Sequence, residues 1–167
     1  MAPRVIDPVM VATSGDRLVD AKAIEAIRSE LVPRARLVTP NAPEAEVLTG
    51  KVVETVDGQR RAAERLLELG AHGALVKGGH IGGNKITDVL QTTTGEWIFE
   101  SPRIVTMSTH GTGCTLASAI ATHLAQGASV PDAVERGRDY LVGAIRAAKS
   151  FGKGHGPVNH GWVLDSE

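Results

Sequence analysis

The sequence of 167 residues is short of several features that define large classes of protein. A single cysteine rules out an intrachain disulfide, and aromatic residues make up only 3% of the chain. Lysine and arginine number 18 against 19 aspartate and glutamate, with no basic stripe, which argues against nucleic acid as a partner. No apolar run is long enough to cross a bilayer, and residues 1–15 lack the pattern of a secretory signal. Together with the lone cysteine, these absences predict a cytoplasmic protein.

Apolar runs of strand length alternate with helical patterns. Strands are predicted at Arg4–Met10 (interrupted by Pro8), Arg36–Thr39 and Gly73–Lys77, and as a hairpin of Ile86–Thr92 and Glu96–Glu100 around Thr94-Gly95. Helices are predicted at Asp20–Leu31 (stopped by Pro33), Asn41–Leu48, Val56–Leu69 (capped by Gly70), Thr112–Gln126, and from Pro131 to about Ser150 with Ser129 as N-cap. Loops are predicted at residues 14–16 and 152–157. This alternation predicts an α/β fold with a doubly wound, mostly parallel sheet flanked by helices.

Polar residues fall where the predicted strands end. Asp7, Asn41 and Lys77 each follow an apolar run, and the turn Thr109–Cys114 precedes a helix. Ligands of open α/β sheets gather at the carboxyl ends of the strands. We therefore expect these residues to share one site.

The turn Thr109-His110-Gly111-Thr112-Gly113-Cys114 carries the strongest signal. Glycine lets a backbone approach a ligand closely, and the free amides at a helix start favour an anion. The arrangement predicts a phosphate held beside an activatable thiol. The competing interpretation is a plain Gly-x-Gly helix start with a buried, inert cysteine.

The other candidates also have structural alternatives. Asn41 and Glu44 form a capping-box pattern, and they also offer oxygens to water-bound magnesium. Lys77 is either a solvated strand end or a contact to a phosphate. Asp7 is either a turn acid or a residue that orients magnesium or nucleotide phosphates. The six histidines show no metal-ligand spacing, and Trp97, Phe99 and Trp162 are expected to be packing residues.

With these residues gathered, the chain resembles the ribokinase-like superfamily, and within it the hydroxymethylpyrimidine/phosphomethylpyrimidine kinases of thiamine biosynthesis. The resemblance rests on five segments taken in order: residues 5–15, 39–50, 75–80, 109–115 and 154–160. It implies an ATP- and Mg²⁺-dependent kinase that phosphorylates 4-amino-5-hydroxymethyl-2-methylpyrimidine and then its monophosphate.

The resemblance also implies roles for the candidate residues. Gly111, Thr112 and Gly113 would form an anion hole, and Cys114 would stand where sugar kinases of the superfamily carry a catalytic aspartate. Phosphate or substrate contacts would come from Lys77, Asp7 and Thr109. Magnesium would be held, through water, by Asn41 and Glu44.

Alternatives stay open at this stage. A pyridoxal kinase of the cysteine type is close, whereas a sugar kinase is disfavoured by the cysteine. Because family members begin with a glycine-rich, substrate-gripping segment that has no counterpart here, we expect residues 1–167 to be the C-terminal part of a single kinase domain. A catalytically silent, nucleotide-binding fragment or assembly partner is therefore a third reading. An exposed sheet edge would favour a homo-oligomer.

Overall fold

A five-stranded sheet organises the first of two compact units, Met1–Arg103. The computed structural model describes residues 3–10, 18–149 and 154–164, so the predicted loop at 14–16, residues 152–153 of the other loop and Ser150 lie outside the described range. The strands are β1 Val5–Ile6, β2 Leu37–Val38, β3 Gly73–Val76, β4 Lys85–Thr92 and β5 Gly95–Pro102, in that spatial order.

The direction of the strands agrees with the predicted fold. β1, β2 and β3 pair in parallel, and β4 and β5 form the predicted antiparallel hairpin, with Thr92 opposite Gly95. β4 is antiparallel to β3, so β5 again runs the same way as the first three strands. All four residues of β3 are buried, which explains its continuous apolar sequence.

Among the described residues of this unit, three α-helices flank the sheet: α1 Ala21–Ala26, α2 Ala42–Thr49 and α3 Val56–Glu68. The last two match the predicted helices closely, and Gly70 follows α3 with a φ of 105°. Their inner faces and the central strands bury one apolar core, whose members include Val38, Ala45, Leu48, Ala62, Leu66, Ala74 and Val76.

The first predicted helix is only partly regular. The sequence predicts one helix over Asp20–Leu31, but α-helical bonding stops at Ala26 and gives way to a π-helical turn, Ile27–Leu31, in which the Val32 amide donates to the Ile27 carbonyl. A 3₁₀ turn, Val32–Arg34, follows and contains Pro33. Proline has no amide to donate to the Ser29 carbonyl and crowds it, so the regular ladder cannot continue.

In the second unit, Ile104–Glu167, the described residues form two helices, α4 Thr112–Ala125 and α5 Val130–Arg146. Ser129 caps α5 as predicted, accepting the Asp132 amide. The helices pack closely because Gly137 has no side chain: a Cβ there would lie 2.8 Å from the Ile120 side chain. Within the described ranges, no helix has the length and apolar character needed to span a membrane.

Candidate functional site

Three polar side chains meet at the carboxyl ends of β1, β2 and β3. The Lys77 ammonium lies 3.0 Å from Asp7 Oδ1, with side-chain exposures of 14% and 12%. The hydroxyl of Thr39, a fully buried residue, donates to the same oxygen at 3.2 Å. Asp7 therefore holds a nearly buried ion pair at the centre of this edge.

Backbone pairing that continues past the strand ends brings these residues together. The Thr39 amide donates to the Ile6 carbonyl and the Lys77 amide to the Pro40 carbonyl, both at 2.9 Å. Asn41 and Lys77 form a further parallel bridge. The predicted meeting of Asp7, Asn41 and Lys77 is thus present in the first unit, and Thr39 is an additional member.

Asn41 and Glu44 form the predicted capping box at the start of α2. Asn41 Oδ1 accepts the Glu44 amide, and Glu44 Oε2 accepts the Asn41 amide, both at 2.9 Å. Glu44 Oε1 accepts the Met10 amide at 3.1 Å, although the residue is only 3% exposed. The carboxylate is thus buried among backbone amides and, in the part of the chain that the structure describes, forms no ion pair.

This arrangement constrains any role with magnesium. Each carboxylate oxygen of Glu44 accepts one amide and keeps a second lone pair, so Glu44 suits a metal-bound water better than the ion itself. The donor set therefore fits the water-mediated role that the resemblance implies. Over residues 3–10, 18–149 and 154–164, no cluster of three or more His, Cys, Asp or Glu residues is placed to hold a metal directly.

The segment that follows Lys77 is fixed by two buried polar side chains that the sequence did not single out. Gln59 Nε2 donates to the Val76 and Thr87 carbonyls at 2.9 and 2.8 Å. Asp88 Oδ1 accepts the Gly78 amide at 2.8 Å. These bonds join β3 to β4 where the regular ladder ends. The sequence signal for Gln59 was a polar residue on an otherwise apolar helix face, whereas Asp88 stands in a strand with several other polar residues and gave no such signal.

His80 lies three residues after Lys77, and the charges of several side chains affect its pKa. The residue is exposed, but its ring is partly shielded from water, and this desolvation is the main cause that lowers the pKa of His80 below 6.5. The charges of Lys77 and Arg103 lower it further. The buried charge of Glu44 opposes them. Neutral imidazole is therefore favoured at this position.

In the second unit, the turn Thr109–Cys114 opens α4 as predicted. Gly111 occupies the N-cap position with φ 81° and ψ 7°, a left-handed conformation that suits glycine, and no side chain caps the helix. The first intrahelical bond runs from the Thr115 amide to the Gly111 carbonyl at 2.9 Å. The amides of Thr112, Gly113 and Cys114 precede that bond and are not used by the helix.

Cys114 is exposed, so the interpretation as a small buried hydrophobe does not hold. The residue stands in the first turn of α4, which contains no acidic side chain. A helix start of this kind attracts an anion, because its amides point outward and the dipole is positive there.

The C-terminal segment braces the turn from within the same unit. The His110 amide donates to the Gly156 carbonyl at 3.2 Å, and the Gly156 amide donates to the Met107 carbonyl at 3.1 Å. Thr109 Oγ1 lies 3.2 Å from His155 Nδ1. The tail motif at residues 154–160 therefore supports the entry to α4.

Comparison with known proteins identifies the family. The sequence pattern described as phosphomethylpyrimidine kinase matches residues 1–159. This chain belongs to the phosphomethylpyrimidine kinase family. The hydroxymethylpyrimidine/phosphomethylpyrimidine kinase of Streptomyces coelicolor is 47% identical over 163 residues, which cover 98% of this chain and 60% of that protein.

Two further proteins are similar to this chain. The thiamine biosynthesis bifunctional protein ThiED of Geobacter sulfurreducens is 50% identical over 93% of this chain and 32% of its own length. The pyridoxal kinase of Staphylococcus aureus, solved with AMP-PCP and pyridoxal, is 29% identical with a TM-score of 0.88, over 98% of this chain and 59% of its own. The predicted ribokinase-like fold is therefore confirmed. The chain spans at most about 60% of the length of these three relatives.

Proposed function

We propose that this member of the phosphomethylpyrimidine kinase family carries the phosphoryl-transfer machinery of a kinase that uses ATP to phosphorylate 4-amino-5-hydroxymethyl-2-methylpyrimidine and then its monophosphate. The observation that carries the proposal is the uncapped start of α4, where three amides and an exposed thiol share one helical turn. Family membership over residues 1–159 supports the pyrimidine as acceptor.

In this proposal the turn binds the transferring phosphoryl group. The amides of Gly111, Thr112 and Gly113 form the anion hole, with the Cys114 amide beside them, and stabilise charge on its oxygens because they are already oriented before the reaction begins. The hydroxyl oxygen of the substrate attacks the terminal phosphorus of ATP, the bond to the ADP oxygen breaks, and the hydroxyl proton passes to the Cys114 thiolate. In the second reaction a phosphate oxygen of the monophosphate attacks the terminal phosphorus of another ATP, and ADP again leaves as the bond to its oxygen breaks. Since such transfers pass through a loose transition state, positioning contributes more than the base.

The candidate residues of the first unit keep the roles that the family resemblance implies. Lys77, aligned by Asp7 and Thr39, is the cation proposed to contact a nucleotide phosphate. Asn41 and Glu44 would hold Mg²⁺ through its water molecules, and the ion would neutralise charge on the phosphate oxygens. Thr109 is proposed to contact the phosphate bound at the α4 turn, and its hydroxyl is held near His155 of the C-terminal segment.

A cysteine-type pyridoxal kinase is the second candidate, favoured by the structural match to the Staphylococcus aureus enzyme. Because the identity to the Streptomyces coelicolor kinase is higher, at 47% against 29%, we place the pyrimidine first. A cytoplasmic location and a homo-oligomeric state belong to the same proposal.

The experiment is a competition between acceptors. The 167-residue chain, and a chimera in which it replaces the matching segment of the Streptomyces coelicolor relative, are each assayed with ATP and the pyrimidine, its monophosphate or pyridoxal. The proposal predicts that the chimera prefers the pyrimidine and its monophosphate. A preference for pyridoxal would establish the second candidate.

The isolated chain separates activity from binding. Calorimetric titration with Mg-ADP should show binding, because the amides of α4 and Lys77 are contained in it. Binding by both proteins without turnover by either would favour the silent fragment. A chimera that neither binds nucleotide nor turns over would refute the proposed function.

A further inference from the structure

The connection between β3 and β4 is a glycine-rich loop with little bonding of its own. Residues 78–84, here called the β3–β4 loop, include four glycines among seven residues. Its one internal backbone bond runs from the Ile81 amide to the Gly78 carbonyl at 2.9 Å, and the Ile81 side chain packs against the core. Ordering so flexible a segment costs much conformational entropy, so something else must hold it.

Arg103 provides the missing bonds. Its Nε donates to the Gly83 carbonyl at 2.8 Å, one terminal nitrogen donates to Gly79 at 2.8 Å, and the other donates to Ile81 at 2.6 Å. Its own amide donates to the Asn84 carbonyl at 2.9 Å. One planar guanidinium thus binds three carbonyls of the same loop, a geometry that lysine cannot reproduce.

The Arg103 guanidinium binds neutral carbonyl oxygens rather than a carboxylate. Its three side-chain hydrogen bonds go to Gly83, Gly79 and Ile81, and among the described residues no carboxylate forms an ion pair with it. Its charge and that of Lys77 both act on the His80 ring, with Glu44 as the opposing acidic group. The loop is therefore held in one conformation by a guanidinium that has no carboxylate ion-pair partner among the described residues, and it directly follows Lys77, the proposed phosphate contact, whose own charge is paired with Asp7.

We propose that Arg103 is a positioning residue of this kinase: its guanidinium holds the β3–β4 loop in one conformation, so that Lys77 and His80 are presented together to a phosphate-bearing ligand. This inference rests on the proposed function for the identity of the ligand. It does not rest on it for the order of the loop, because the three carbonyl contacts are independent of any reaction.

The test compares R103K with R60K as a matched control. Arg60 also makes three side-chain hydrogen bonds, but to Glu96 and Asp57 on the surface, away from the loop. Backbone ¹⁵N relaxation of the 167-residue chain reports the order of the loop, and calorimetry with Mg-ADP reports binding. The urea midpoint of each variant reports whether the fold is retained.

We expect the order parameters of residues 79–83 to fall from those of a rigid backbone to below about 0.6 in R103K, and to stay unchanged in R60K. If the competent loop is populated about one-tenth of the time, ADP binding weakens about tenfold. In the chimera, the same variant should raise the KM for ATP more than it lowers kcat, a split that a general loss of stability would not produce.

Two results would overturn the inference. The first is low order parameters for residues 79–83 in the wild-type chain, which would show that Arg103 does not hold the loop. The second is order parameters in R103K that equal those of wild type. If wild type binds no ADP, the proposed function fails and the ligand half of the inference fails with it, while the relaxation data still decide whether Arg103 orders the loop. Wild-type affinity for ADP in a disordered R103K loop would refute the ligand half alone.

Discussion

The ion pair between Asp7 and Lys77 allows one prediction to be worked out in magnitude. At 3.0 Å and an effective dielectric constant of about 20, the attraction is about 5–6 kcal/mol before the cost of removing both charges from water. Removing one partner leaves the other charge nearly buried and unpaired. We therefore expect Asp7→Asn or Lys77→Met to lower the free energy of unfolding by about 2–4 kcal/mol.

The double variant should be far less damaging than the sum. With both charges gone, no unpaired charge is buried, and the amide of Asp7→Asn can still accept the Thr39 hydroxyl. The expected coupling is about 2 kcal/mol, measured as a double-mutant cycle in urea denaturation followed by circular dichroism. Additive losses, or single losses below about 0.5 kcal/mol, would refute the reasoning.

A second ion pair provides the control. Lys85 and Glu100 approach to 2.7 Å, closer than Asp7 and Lys77, but their side chains are 58% and 48% exposed. Water screens such a pair, so Lys85→Met should change stability by no more than about 0.5 kcal/mol. The comparison tests whether burial, rather than distance, sets the size of the effect.

Two further predictions concern the β3–β4 loop. Gly78→Ala should lower the free energy of unfolding in urea by about 1–3 kcal/mol, because a Cβ there would collide with the Thr87 carbonyl. Gly79→Ala is the control: its Cβ would meet nothing within 4 Å, so the change should stay within about 0.5 kcal/mol. Equal effects of the two variants would contradict the structure. His80→Gln should flatten the pH dependence of the free energy of unfolding. Because desolvation lowers the pKa of His80 in the fold, the folded protein binds fewer protons than the unfolded chain just below pH 6.5. Stability therefore rises as the pH increases to 6.5 and is lost as the pH falls toward the folded pKa. The effect should be small because His80 is exposed. Urea midpoints are measured at pH 5.5 and 7.5 for wild type and His80→Gln, and an equal difference between the two pH values in both proteins would exclude the effect.

The sequence predicted those parts of the fold whose causes are local. Asn41 and Glu44 are three residues apart, so their capping box is visible in the sequence, as is the Ser129 cap of α5. The hairpin between β4 and β5 follows from a turn signal between two short apolar runs. The failure at α1 is also local: Pro33 alters the bonding several residues before itself, not at the point where it stands.

The parts that escaped prediction depend on distant partners. Arg103 contacts carbonyls 20 to 24 residues away, and Gln59 on α3 bridges Val76 of β3 and Thr87 of β4. The sequence around either residue does not indicate which carbonyls it contacts. Asp7, Lys77 and the Thr109–Cys114 turn could be proposed as site residues from the sequence, because the order of elements fixes the position of strand ends and helix starts in advance.

The most direct test of the central claim compares Cys114→Ala with Ser118→Ala in the chimera. Both positions are exposed on α4, but only Cys114 lies in its first turn. Single-turnover phosphorylation of the pyrimidine and the dissociation constant for Mg-ADP are measured for each variant. We expect Cys114→Ala to slow transfer by about 100-fold or more, while ADP affinity and the Ser118→Ala rate stay near wild type. Transfer by Cys114→Ala within about threefold of wild type would contradict it, because a base normally contributes far more than that.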